Sequence, residues 1–560
     1  MREGRKGPPT VLLRQWTNPP SQSTSTTVSD ARNSRIQQID GLTNQVTTYD
    51  PDHNYAPQAV YLPTGSGREL QSLFTYDVRH RLTTISHQLC VVADVTSHAC
   101  SSTTAAGSDM YAYDEVDSRT RVTEANGAAT SDRFYCYDAR DQLIYRNTAA
   151  ACSSSAKDEA YTYDDAGNRT SALVAGSTRT FTYTPDGQLT ACTVPACTIT
   201  YDTTGRTSAW TDSGITWAYT YDSAGRLTSA CKSTACTGSG FDRLDFAYDG
   251  EGHRTKITET PAAPTIQTPV ITRDFRYQGD AVVEELVNTV SLRTIVVDEA
   301  GAPVKLTIAV GQPNAGTYLP TWSGHGDLLA LWQVQADGSL VLANSVTYDT
   351  WGRPSVTSAN GIPDLGWSRL YVGRSDVWWD NAFGAGLLYM HARSYSPTLG
   401  RFLQPDPIAA EGNLYGYAEN SPVTKADASG TVCEFAILLG PEAVVVSCAA
   451  VAIVAGLAWV SSRIPSIVLQ PHSCTLCWQS TTSSYRPTCY RGCTVSYFEG
   501  ARRKDLQREI EGGGYRLRPG RGPHDVYVKP GSPNIVLPRG RNISPGVTRQ
   551  IRELLRRFGK

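Results

Sequence analysis

Methionine is nearly missing from this chain, with three in 560 residues. Long apolar runs are almost missing too. Behind the basic start MREGRKGPPTVLLRQW there is no apolar stretch of signal-peptide length. Either export uses another route or the start of a longer protein lies upstream; the second is the expectation, because the polar, Ser/Thr/Pro-rich residues 1–45 show no beginning to a domain. One run, Ala443–Val460, passes eighteen residues without a charge, the lower limit for a membrane-spanning helix. Net charge is small as well, −2, but only by cancellation. From Gly500 to Lys560 fifteen Lys or Arg face five acids, so this tail is +10 and the first 499 residues carry −12. Polyanions attract such a tail, and the acidic body offers them nothing comparable.

What is abundant points to β structure. Thr, Ser and Tyr are plentiful, and 47 Gly with 31 Pro supply turns. The length exceeds a single core, and roughly three to five units are expected. Of fourteen Cys, three close pairs sit in small-residue insertions between strand-like runs: Cys90/Cys100, Cys192/Cys197 and Cys231/Cys236. They read as disulfides made outside a reducing cytosol, with free surface thiols as the alternative.

A repeat runs through the body: aromatic-x-Tyr-Asp, two residues, Gly, then a polar or basic residue and an apolar or Thr position. Examples are Tyr161-Thr-Tyr163-Asp164-Asp-Ala-Gly167-Asn-Arg169, Ile199-Thr-Tyr201-Asp202-Thr-Thr-Gly205-Arg206 and Tyr219-Thr-Tyr221-Asp222-Ser-Ala-Gly225-Arg226-Leu227. Two aromatics two residues apart share one face of a strand. The Asp carboxylate can hold turn amides, and Gly takes φ > 0. Each unit is thus a hairpin with one sticky face, stable only when stacked on its neighbours. The predicted architecture is mostly β, a long coiling sheet. The pattern resembles the YD repeats of the Rhs family and of Tc toxin C subunits. The resemblance implies a hollow β-cocoon, a coiled shell over residues 46–383, that encloses an unfolded toxin.

Residues 384–432 strengthen it. Leu387-Leu388-Tyr389, Arg393-Ser-Tyr395, Gly400-Arg401-Phe402-Leu403-Gln-Pro-Asp406-Pro407-Ile408 and Asn413-Leu-Tyr415-Gly-Tyr417 onward to Asp427 and Gly430 closely resemble the Rhs core-terminal signature. In that family this plug carries an aspartyl self-cleavage activity that releases what lies downstream. The implied carboxylates are Asp406 and Asp427, close enough to share a proton, with Arg401 as a guanidinium holding one ionised.

Beyond the plug, residues 433–465 form the hydrophobic segment, read as an aid at a target-cell membrane or else as a buried core element. Residues 466–497 are a Cys-rich linker, in which Cys474, Cys477, Cys489 and Cys493 have the spacing of a structural zinc knuckle or of two disulfides. Residues 498–560 read as a small α-β-β-β-α domain: a helix stopped by Gly512-Gly513-Gly514, three short strands, and a final helix capped by Ser544-Pro545. In its order of motifs this tail resembles HicA toxins, dsRBD-like mRNA interferases. By that resemblance His524 is the catalytic group, moving the proton of an RNA 2′-hydroxyl. Arg518, Arg521, Lys529 and Arg539 would bind the phosphate, and no cofactor is required.

The sequence therefore reads as a secreted or cell-surface interbacterial polymorphic toxin whose shell frees a ribonuclease into the cytoplasm of a target cell. RNA, a cognate immunity protein and secretion-system components are the expected partners. The alternative is a structural YD-repeat surface protein with a non-catalytic nucleic-acid-binding tail.

Overall fold

The computed structural model describes residues 12–17, 24–29, 35–39, 45–50, 56–126, 129–148, 152, 157–298, 301–407, 413–431, 503–518, 524–529, 535–538 and 555. They fall in two units, Met1–Ala452 and Ile453–Lys560.

In the first unit, twenty-nine strands from Leu12–Thr17 to Pro354–Ser358 make one antiparallel meander, each strand pairing with the next. Its start lies within residues 1–45. Leu12–Thr17, Thr24–Ser29 and Arg35–Ile39 are strands of this same sheet, and the last pairs with Val46–Asp50. Thr is a good strand former whatever its polarity, so low hydrophobicity concealed these strands.

One hairpin shows how the repeat works. Tyr161 pairs with Ala172, Thr162 with Ser171, but Tyr163 with Arg169, leaving Thr170 as the extra residue of a β-bulge. Asp164 Oδ1 then accepts the amides of Ala166 and Asn168, both at 2.9 Å. Gly167 completes the turn at φ +76°. The same two amide bonds recur at Asp202 and Asp222. The first aromatic of each unit (Tyr161, Phe181, Tyr219, Phe246) is buried in one continuous core. The second links units: Tyr163 donates its hydroxyl to Leu143 O (2.7 Å), Tyr183 to Arg169 O (2.8 Å), Tyr221 to Thr207 O (2.7 Å) and Tyr248 to Leu227 O (2.7 Å). A hairpin that bonds its predecessor in this way cannot be satisfied alone.

The sheet has two edges. The Asp turns line one. The opposite edge carries the disulfides, and all three pairs expected from the sequence are bonded, with Cα–Cα distances of 5.4, 5.0 and 5.4 Å. A fourth, Cys136–Cys152 at 5.6 Å, was not foreseen, because its sixteen-residue separation hides the pairing in a sequence. Between stapled connections lie two-residue turns such as Ala175-Gly176 and Ser213-Gly214, both residues of each at positive φ. The closed loops span 5 to 16 residues, worth about 2–3 kcal/mol each in the chain-entropy model. Reduction by dithiothreitol is therefore expected to lower the urea unfolding midpoint of the wall. Replacing both Cys192 and Cys197 by Ser should reproduce about 2 kcal/mol of that loss; an unchanged midpoint after complete reduction would refute it.

After the last strand of the meander, a small four-stranded sheet (Trp378–Asp380, Leu387–Met390, Arg393–Ser396, Arg401–Phe402) and the loops through Thr431 form the plug. The predicted domain limits 384–432 cut through this sheet, whose first strand begins earlier, at Trp378.

The second unit holds a helix, Arg503–Gly512, and an antiparallel sheet of Arg516–Arg518, His524–Val528 and Ile535–Pro538. Leu506 and Ile510 are buried one turn apart on the helix, with Tyr515 and Tyr527 also buried. Gly514 ends the helix at φ +87°. Among the described residues no helix is long and apolar enough to cross a membrane. The run 443–460 and the final helix beginning at Ser544 lie outside the described residues, except for Leu555.

Candidate functional site

The site is built where the Asp-turn edge meets the plug. After the turn, four repeats place a buried Leu: Leu82, Leu143, Leu189, Leu227. Three repeats place Arg there instead, and all three side chains are buried: Arg119, Arg169 and Arg254. A buried guanidinium needs acceptors and rings around it; the plug supplies the acceptors, and the sheet and the plug together supply the rings. Arg119 donates to Val423 O (3.1 Å), Arg169 to Leu399 O (2.7 Å) and Arg254 to Asp380 Oδ2 (2.6 Å). They lie over the rings of Tyr111, Trp351 and Tyr389 at 4.5, 4.5 and 4.1 Å. The signal in the sequence is Arg at the position where other repeats carry Leu.

The plug answers in kind by bonding the glycine carbonyls of the turns. Asn420 Nδ2 reaches Gly167 O (2.7 Å), Tyr415 OH reaches Gly205 O (2.6 Å) and Gln404 Nε2 reaches Gly225 O (3.3 Å). Arg401 belongs to this set. It donates to Gly187 O at 2.5 Å and lies between the rings of Tyr183 and Tyr415. Its observed bond is thus to the wall, and it is Arg393 that meets a carboxylate of the plug.

Arg393 is fully buried against the ring of Phe402, 3.6 Å from its centroid. It donates Nη2 to Asp427 Oδ2 at 2.9 Å, Nη1 to Leu414 O at 3.3 Å and Nε to Gly430 O. Ser429 Oγ donates to the other Asp427 oxygen at 3.1 Å. Gly430 sits at φ +66°, where an added Cβ would come within 2.3 Å of Met390 O, so no other residue fits this turn. Asp406 is buried as well, and its amide is bound to Leu414 O at 2.7 Å. Leu414 O therefore accepts both from the Arg393 guanidinium and from the main-chain amide of Asp406.

Burial pushes the Asp427 carboxyl above the ordinary carboxylate range, Arg393 and Ser429 pull it back, and the negative charge of Asp406 raises it further. Asp427 stands beside the main chain of residues 429–431, where Ser429 Oγ also contacts Thr431 O at 2.7 Å.

In the tail, His524 opens the central strand opposite Pro538, and Arg518 ends the first strand opposite Val526. Lys529 donates to Gly513 O (3.1 Å), at the end of the helix, and lies 5.7 Å from the Tyr515 ring centroid. Its ammonium thus complements the negative end of the helix. Arg521, Arg539 and the four cysteines Cys474, Cys477, Cys489 and Cys493 lie outside the described residues.

Comparison with known proteins agrees with the wall. Residues 201–230 match the RHS Repeat family model. A stretch of 54 residues, 10% of this chain, is 43% identical to 2% of the salivary gland surface protein 1 of Aedes aegypti. A second alignment, 29% identical over 213 residues, covers 35% of this chain and 14% of the double-stranded DNA deaminase toxin A of Burkholderia cenocepacia. Among solved structures, the crystal structure of TcdB2-TccC3-TEV superposes with a TM-score of 0.51 at 18% identity, covering 73% of this chain and 21% of that one. The chain thus spans a small part of each of these proteins. It carries RHS repeats, and they build a coiled antiparallel wall of the fold seen in TcdB2-TccC3.

Proposed function

We propose that this chain is a secreted polymorphic toxin in which the RHS wall packages a C-terminal effector and the plug frees it by self-cleavage. The observation that carries the reading is the buried Asp427, held by Arg393 and Ser429 and acted on by the charge of Asp406, at the point where the plug ends. One carboxyl keeps a proton to give to a leaving amine, while the other acts as base toward water. Arg393 and Ser429 position Asp427. The cargo is the cationic tail, read as a HicA-like ribonuclease acting through His524, with Arg518, Arg521, Lys529 and Arg539 around the phosphate. Its helix followed by three antiparallel strands is in keeping with the first four elements of that fold. The producing cell would carry an immunity protein that masks the basic face.

The relation to a toxin of Burkholderia cenocepacia supports the toxin class without specifying the effector. Purified full-length chain is expected to resolve into two fragments under denaturing electrophoresis. Asp427→Asn should give one band, with the wall folded as judged by circular dichroism and the unfolding midpoint. Two bands from Asp427→Asn would remove the carboxylate pair from the mechanism.

A further inference from the structure

At three of the Asp turns, the residue four positions after Asp balances its charge. Arg81, Arg206 and Arg226 each donate Nε to their own Asp Oδ2 at 2.7 Å. At Asp249 this residue is His253, and the turn reads Asp-Gly-Glu-Gly-His. His253 Nδ1 lies 3.1 Å from Asp249 Oδ2 and 3.8 Å from Glu251 Oε2, and these three ligand atoms all fall within 4.8 Å of one another. On the other side of the ring, Nε2 lies 3.2 Å from Asp280 Oδ1. Arg226, from the preceding turn, is engaged by Asp222 and by the main-chain oxygen of Asp249 at 3.4 Å. One imidazole therefore faces three carboxylates.

We propose that this turn is a zinc-class metal site, with His253 Nδ1, Asp249 Oδ2 and Glu251 Oε2 as ligands and Asp280 orienting the imidazole through Nε2–H. Several features agree. Tetrahedral bonds of about 2.0–2.1 Å set ligand atoms about 3.3 Å apart, close to the observed 3.1 and 3.8 Å. Asp249 Oδ1 is held by the amides of Glu251 (3.0 Å) and His253 (2.9 Å), so the turn itself aims Oδ2. A carboxylate on the far nitrogen fixes the tautomer that leaves Nδ1 unprotonated toward the metal, the arrangement that raises ligand basicity in metal sites. The Tyr277 ring stacks on the imidazole at 4.7 Å and 25°, fixing its plane. An imidazole with two carboxylates prefers zinc or a similar transition ion to calcium or magnesium. A fourth position stays open to water. Such a site would clamp this turn as Arg clamps the others, and only while the metal is present.

The test compares the metal content of full-length wild type and His253→Arg, which restores the guanidinium of the neighbouring turns. After equilibration with zinc and desalting, wild type is expected to hold one equivalent more by elemental analysis. With cobalt(II), the extra equivalent should show weak nitrogen/oxygen-type visible bands, distinct from any thiolate charge-transfer band of the downstream cysteines. Glu251→Gln, at a side chain 85% exposed and therefore harmless to folding, should bind the extra ion at least tenfold more weakly. Equal metal content in wild type and His253→Arg overturns the proposal, as does undiminished affinity in Glu251→Gln.

Discussion

Full-length His524→Ala, delivered to or expressed in a sensitive bacterium, is expected to permit growth where the wild type arrests it. The purified variant should cleave RNA about 10²- to 10⁴-fold more slowly, the usual worth of a general acid–base group. Binding should change little, because the attraction comes from the +10 charge of residues 500–560. Substitution of Arg518 by Ala should do the reverse, weakening binding and flattening its salt dependence. This split separates an enzyme from a nucleic-acid-binding tail. Equal RNA cleavage by wild type and His524→Ala would dismiss the ribonuclease, whatever becomes of the plug.

The second large effect concerns Arg393. Replacing it by Ala leaves the Asp427 carboxylate buried without its guanidinium and Gly430 O without its donor. Breaking a buried pair from one side costs about 3–5 kcal/mol. Urea denaturation at neutral pH should register that loss. The pH dependence supplies a check on the cause. The Asp427 carboxyl is raised by burial above its ordinary value. Its contribution to stability is therefore complete below the unfolded-state pKa and declines as pH rises through the folded one. Removing Arg393 raises the folded value further, so the defect of Arg393→Ala should widen from mildly acid to neutral pH. A defect that is constant over this range would place the loss in packing against Phe402 instead of in the charge. Because the same change disturbs Asp427, it should also slow any release of the tail.

Much of this molecule was legible from residue order. Aromatic-x-Tyr-Asp with a Gly three residues later specifies its hairpin locally: the Asp oxygen has two amides within reach and the Gly accepts the positive φ. Three of the four disulfides among the described residues were equally local. The plug boundary, the strands before residue 45 and the partner of Asp427 were less accessible. Arg393 and Asp427 are 34 residues apart, and two guanidinium candidates in one signature look alike until the chain is folded. Arg401 then finds a turn carbonyl and Arg393 finds the acid.

By itself, the order of residues determined everything that closes within one turn or one pair of strands, because those contacts need no distant partner. The tertiary structure alone decided which Leu positions became arginine anchors, which carbonyls of the wall the plug would bind, and which cation would meet which acid. These choices join groups up to 304 residues apart, as from the Arg119 guanidinium to Val423 O. Only burial makes them worth making: an unpaired charge is tolerable in water and costly in a dry core.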